Sequence, residues 1–117
     1  VGFTVWDHSD RRTIYLLNAD WTSNQEQRLA TFIYKGKRFP IAVRRYHIET
    51  IHCADGLAVM PASNTTDILS VCKKENGWAV KAQTTGNDIV QCMNAVTGKV
   101  EPIKFDKPGV HEVFVNE

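Results

Sequence analysis

Short runs of alternating apolar and polar residues recur along the whole chain, each bounded by residues that favour turns. Phe3 and Val5 alternate with Thr4 and Trp6, and Leu29, Thr31 and Ile33 alternate with Ala30, Phe32 and Tyr34. Phe39, Ile41 and Val43 alternate with Arg38, Ala42 and Arg44. A period of two puts successive side chains on opposite faces of a strand, whereas a surface helix needs a period near 3.6. Between the runs lie Lys35-Gly36-Lys37, Asp55-Gly56, Asn76-Gly77, Gly86-Asn87-Asp88, Thr97-Gly98 and Lys107-Pro108-Gly109. Asn76-Gly77, between Val71-Cys72 and Trp78-Ala79-Val80, is the strongest hairpin signal. The pattern predicts an all-β chain, an antiparallel β-sandwich of about 8–10 short strands. The one rival helical stretch, Asn24 to Phe32, alternates better than it follows a helical period, so no helix longer than a turn is expected.

The most apolar uninterrupted stretch is Thr13 to Trp21, with Ile14, Leu16 and Asn18 on one side and Tyr15, Leu17 and Ala19 on the other. Apolar residues on both sides of a strand call for cover on both faces, so this run is predicted as the central strand, with Leu16 in the core. Pro40 has no N–H for a ladder, which assigns its strand to an edge or a bulge.

At 117 residues the chain fits one domain, 1–117. It has no starting Met and no signal peptide and opens directly on the strand-like Val1 to Trp6, so a piece cut from a longer protein is expected. A net charge of +1 supplies no long-range field to gather nucleic acid or an anionic membrane, and no run is long enough to insert into a bilayer. Neither is expected as a partner. Cys53, Cys72 and Cys92 are widely spaced and form no CxxC, so they define neither a zinc site nor a disulfide framework. Cys72 and Cys92 are expected as small core residues, and whether any two of the three are bridged stays open.

Candidate chemistry is sparse. Asp7-His8-Ser9-Asp10 has the residue types of a hydrolase triad, but sequence neighbours diverge and triads assemble from distant segments, so a polar turn is expected. His47 and Glu49 share a face if Tyr46 to Ile51 is a strand, with His52 or His111 as a third ligand; nothing in the spacing requires a metal, and no metal, cofactor or catalytic residue is expected. Lys35-Gly36-Lys37-Arg38 with Arg44-Arg45, near Phe39 and Tyr46, reads better as a charged hairpin tip and a cation-guarded edge than as a nucleic-acid groove. Asn64-Thr65-Thr66 matches a glycosylation acceptor, which has meaning only in a eukaryotic secreted protein. Trp6, Trp21 and Trp78 are candidates for stacking on the apolar face of a sugar ring, provided that they are exposed. Trp21, just beyond the predicted central strand, is the first choice and Trp78 the second.

Trp6-Asp7-His8 followed by Ile14-Tyr15-Leu16-Leu17-Asn18-Ala19-Asp20-Trp21, with the later Ala58-Val59-Met60-Pro61, resembles the C-terminal β-sandwich modules of bacterial glycoside hydrolases, especially those of gut polysaccharide degraders. The resemblance covers about half the chain and carries no catalytic motif. It implies a non-catalytic ancillary domain of a secreted, periplasmic or cell-surface enzyme, packed beside a catalytic domain that is its main partner and contacting glycan in some cases. The alternative is a free-standing ligand-binding or adhesion module of immunoglobulin-like shape.

Overall fold

The computed structural model describes residues 2–18, 26–63 and 65–117. Among them are eleven strands: β1 (Gly2–Asp7), β2 (Arg12–Leu17), β3 (Gln27–Tyr34), β4 (Lys37–Arg44), β5 (Ile48–Ala54), β6 (Leu57–Pro61), β7 (Asp67–Lys74), β8 (Gly77–Thr85), β9 (Asp88–Asn94), β10 (Val100–Phe105) and β11 (Pro108–Asn116). There is no helix among the described residues. The chain is an all-β antiparallel sandwich, as the alternation predicts.

A six-stranded sheet runs in the order β1-β2-β5-β6-β9-β10, and every neighbouring pair in it is antiparallel. It is made of three consecutive hairpins laid side by side. The intervening hairpin β3-β4 folds onto one face, and the sheet β11-β8-β7 folds onto the other. Phe39, Ile41 and Val43 of β4 pack on Ile51, Cys53, Ala58, Met60 and Met93. On the opposite face, Val71, Trp78, Val80, Ala82 and Val115 pack on Leu57, Val59, Val90, Cys92 and Phe105.

The strand that both layers cover is therefore β6. All five of its residues are buried, with Leu57 and Val59 facing one layer and Ala58 and Met60 the other. This corrects the placement of Thr13 to Trp21 at the centre. β2 lies one strand from the edge, and only Ile14 and Leu16 pack, half-buried, under the β3-β4 hairpin; Tyr15 and Leu17 are exposed. The three-stranded cover ends at β7, which lies over β5, so on that side of β2 Thr13 is buried beside His52 while Tyr15 and Leu17 meet solvent. Ala19, Asp20 and Trp21 lie outside the described residues.

Local chemistry explains the turns. Lys35 and Gly36, and again Asp55 and Gly56, both have positive φ, the geometry a two-residue hairpin loop needs to follow strand twist. The Asn76-Gly77 hairpin is present one residue out of register: Lys74 pairs with Gly77, so Glu75 and Asn76 make the loop. Gly77 is required for a different reason, because a Cβ there would collide with the Val115 carbonyl oxygen and the Phe114 ring. β10 has no counterpart among the predicted strands, since Glu101, Pro102 and Lys104 interrupt its apolar signal. It forms at a sheet edge, where a proline without an N–H is tolerated. Pro40 likewise lies on a strand with one open side.

All three cysteines are free. Cys53 and Cys92 are buried on opposite faces of the large sheet, and burial pushes their thiols up to about 11 and about 12. A thiol held that high is a poor nucleophile at neutral pH. Cys72, expected in the core, is only half-buried.

Replacing Leu57, fully buried in β6, with Ala is expected to cost about 2–5 kcal/mol. Leu17→Ala on exposed β2 is expected to stay within about 1 kcal/mol. Urea denaturation of the two variants checks the assignment of the centre; similar losses for both would sink it.

Candidate functional site

Where the three-stranded cover stops, one face of β1, β2 and β5 is left open beside the outer edge of β7. Strand pairing sets its layout: Thr4 pairs with Tyr15 and Tyr15 with Thr50, while Trp6 pairs with Thr13 and Thr13 with His52. Antiparallel partners share a face, so Trp6, Tyr15, Thr50 and His52 all project to this side. Trp6 is 61% exposed and Tyr15 36%. Beyond Tyr15 the face sinks into a polar pocket of about 350 Å³ whose lining includes Arg11, Thr50, His52, Thr66 and Asp67.

Arg11 builds the inner wall of that pocket. Its Nε donates to His52 Nδ1 (3.2 Å), Nη1 to both Asp10 carboxylate oxygens (2.9 and 3.1 Å) and to the Leu69 carbonyl (3.3 Å), and Nη2 to the Ile68 carbonyl (3.1 Å). Asp10 in turn accepts the Val71 N–H (3.4 Å). β7 has a strand partner only on its β8 side, and its register shifts between Ile68 and Ser70. The Arg11–Asp10 pair thus satisfies backbone groups of an irregular sheet edge that would otherwise stand open.

These contacts assign the state of His52. An arginine donates and never accepts, so Nδ1 carries the lone pair and Nε2 carries the proton, which it donates to Thr50 Oγ1 (3.2 Å). Burial first, and then the charge of Arg11, hold the imidazole down at about 4. With Nδ1 occupied by a cation, His52 orients Thr50 and is unsuited to take a proton from a substrate. Thr66 is fixed from behind by Asp88, which accepts its hydroxyl. Asp88 also accepts from the N–H groups of Thr85, Gly86 and Asn87 and from the Thr85 hydroxyl. Burial works against its charge, but the bonds from Thr66, Asn87 and Thr85 outweigh it and hold the carboxyl at about 2. The pocket offers pre-aligned donors and acceptors beside two exposed aromatic rings, an arrangement for binding.

A second concavity opens on the hairpin side. It is an apolar groove of about 500 Å³ whose lining includes Pro40, Ile41, Met60, Met93 and Val100. At one wall Arg44 Nε (3.0 Å) and Nη2 (2.5 Å) both donate to Glu49 Oε1. Gln27 and Arg44 are shared with a smaller hollow at Arg45, Tyr46 and His47. Tyr46 there has φ of 62°, costly for an aromatic residue; its N–H donates to the Asn18 carbonyl (2.8 Å) and the Arg45 guanidinium lies 5.0 Å from its ring centre.

The residues singled out from sequence fall in different places. Trp78 is fully buried; its Nε1 donates to the Asp55 carbonyl (3.2 Å) and Lys73 lies over its ring, so it is a core residue with no free face for a sugar. Trp21 lies outside the described residues, as does Asn64 of the glycosylation pattern. His47, Glu49, His52 and His111 do not converge. His47 contacts the Arg45 carbonyl, Glu49 pairs with Arg44, and His111 contacts the Lys107 carbonyl. No group of three or more His, Cys, Asp or Glu among the described residues is arranged to hold a metal. Asp7 pairs with Arg12 and Asp10 with Arg11, so Asp7 to Asp10 is the polar turn expected of it. Phe39 is buried and belongs to no basic surface. Sequence reasoning missed Tyr15, Arg11 and Thr50 as site residues, and weighed His52 only as a third metal ligand. The signal was the parity of β2 itself: Thr13 and Tyr15 share a face, a semi-polar one that a fully covered strand would not present.

No protein-family model matches this chain, and no curated protein or solved structure does either.

His52 sets a pH dependence of stability. Its folded value of about 4 lies below the ordinary 6.5, so the unfolded chain binds the extra proton and stability falls as pH drops from about 6.5 towards 4. The loss is expected to be on the order of 2 kcal/mol by pH 4.5. Urea midpoints for the parent and His52→Gln check it: the variant is expected to show a flatter profile across this window.

Proposed function

We propose that this chain is a non-catalytic β-sandwich module of a larger secreted or cell-surface glycoside hydrolase, and that it holds glycan weakly on the open face of β1, β2 and β5. The observation that carries the glycan part is the placement of Trp6 and Tyr15, exposed on one face, beside a polar pocket containing Arg11, Thr50, Thr66 and Asp67. An aromatic ring covers the C–H side of a pyranose while neighbouring polar groups take its hydroxyls, which is the division of labour a sugar site needs. The non-catalytic part is supported by the use of the acids. Hydrolysis by the common route takes two carboxylates about 5–10 Å apart across a cleft, one of them held protonated. Asp7, Asp10 and Glu49 are each paired with an arginine and Asp88 is committed to a turn, which leaves Asp67 without a second uncommitted carboxylate among the described lining of the pocket. The parent enzyme and its catalytic domain as partner rest on the resemblance of Trp6-Asp7-His8, Ile14 to Trp21 and Ala58 to Pro61.

A glycan array followed by titration calorimetry with the oligosaccharides it selects tests this reading. Trp6→Ala and Tyr15→Ala are each expected to weaken binding about tenfold with the fold retained, while Lys104→Ala leaves it unchanged. If Trp21→Ala alone abolishes binding, the platform is not this face. Turnover of any glycoside by the purified chain would refute the non-catalytic reading.

A further inference from the structure

The groove on the hairpin side has a feature that apolar packing does not explain. Glu49 is 5% exposed, and both hydrogen bonds from Arg44 go to its Oε1. No donor among the described residues reaches Oε2. No fully buried side-chain nitrogen or oxygen there lacks a partner, so Oε2 must keep access to open space. Glu49 borders both concavities, but it pairs with Leu16 and shares the face of Ile51 and Cys53, which pack against the β3-β4 hairpin, so its side chain is on the side of the groove lined by Ile41, Met60, Met93 and Val100. An accessible carboxylate oxygen at an apolar wall is an acceptor that a bound N–H or O–H can fill, and a molecule that covers it without donating would leave it without a partner, which is costly. Among the described lining residues Arg44 and Glu49 alone are charged, with opposite signs, which selects against a charged occupant.

We propose that this groove is a second binding site, distinct from the aromatic face, for an uncharged molecule with an aliphatic body and a terminal N–H or O–H donor. The aliphatic part lies along Ile41, Met60, Met93 and Val100, and the donor reaches Glu49 Oε2. The volume of about 500 Å³ falls within the range of small-molecule sites.

Hexanamide and methyl pentanoate are matched probes: each has a short alkyl chain, a carbonyl and the same number of heavy atoms, but only the amide donates. Titrated into the 15N-labelled chain, hexanamide is expected to shift the backbone amides of Ile41, Glu49, Met60 and Met93, and the ester to bind about tenfold more weakly. Glu49→Gln is expected to erase the preference, since Arg44 claims the single amide oxygen and leaves an N–H₂ facing the groove, from which the carbonyl of either probe can accept. Val100→Trp, at a half-exposed position on the rim, is expected to abolish binding of both probes with the spectrum otherwise preserved. Equal affinity of the two probes, shifts clustered elsewhere, no binding of either, or an unchanged preference in a folded Glu49→Gln chain would each overturn the assignment. Should Glu49→Gln fail to fold, the comparison of the two probes and the Val100→Trp chain decide it. Loss of glycan binding in Trp6→Ala with hexanamide binding intact would separate this site from the one on the aromatic face.

Discussion

Two-sided burial of β6 is the constraint on which the rest of the molecule depends. A strand with apolar residues on both faces is stable only between two layers, and five consecutive buried residues leave no face for water. The chain meets this demand by alternation. Hairpins β1-β2, β5-β6 and β9-β10 go into one sheet, and the hairpins between them go to opposite faces of it. Each cover is narrower than the sheet it covers, with two or three strands against six. The centre is therefore doubly buried, while β2 is packed mainly on one face and β1 is exposed on both.

That mismatch in width creates the open aromatic face. Because the three-stranded cover ends over β5, Thr4, Trp6, Tyr15 and Leu17 keep solvent on their side, and β7 is left with an outer edge facing them. Exposed edges invite pairing with other chains, and here the register shift in β7 and the Arg11–Asp10 pair occupy part of that edge. The same guanidinium holds His52 as a neutral imidazole through its Nδ1, and His52 then orients Thr50. Edge protection and the polar lining of the pocket are thus one hydrogen-bond network, and its members are coupled in stability.

On the hairpin face the Arg44–Glu49 pair has the opposite character. A half-buried arginine and a buried carboxylate gain attraction from their short contact but lose hydration, so such a pair adds little net stability and is strongly disruptive when halved. Its position at the wall of a largely apolar groove, with both bonds from Arg44 going to one carboxylate oxygen, makes it the charged landmark among the described lining residues.

The sequence by itself determined the class of structure and most of its strands. Residue alternation and the Lys35-Gly36 and Asp55-Gly56 loops are local properties, set by side-chain parity and by which residues tolerate positive φ. Which strand sits at the centre is not local. Tyr15 and Leu17 are as apolar as Val59 and Met60, and only the width of the covering layers decided that the first pair meets water and the second does not. The same limit governed the tryptophans: a local pattern cannot separate Trp6 from Trp78, yet β1 is an edge strand and β8 the middle of its sheet. Arg11, Thr50, His52 and Thr66 come from three separated segments and meet only because β2 pairs with β5 while β7 packs over β5. Tertiary structure alone brings such residues together, since burial and juxtaposition depend on what lies across the fold and not on neighbours in the chain.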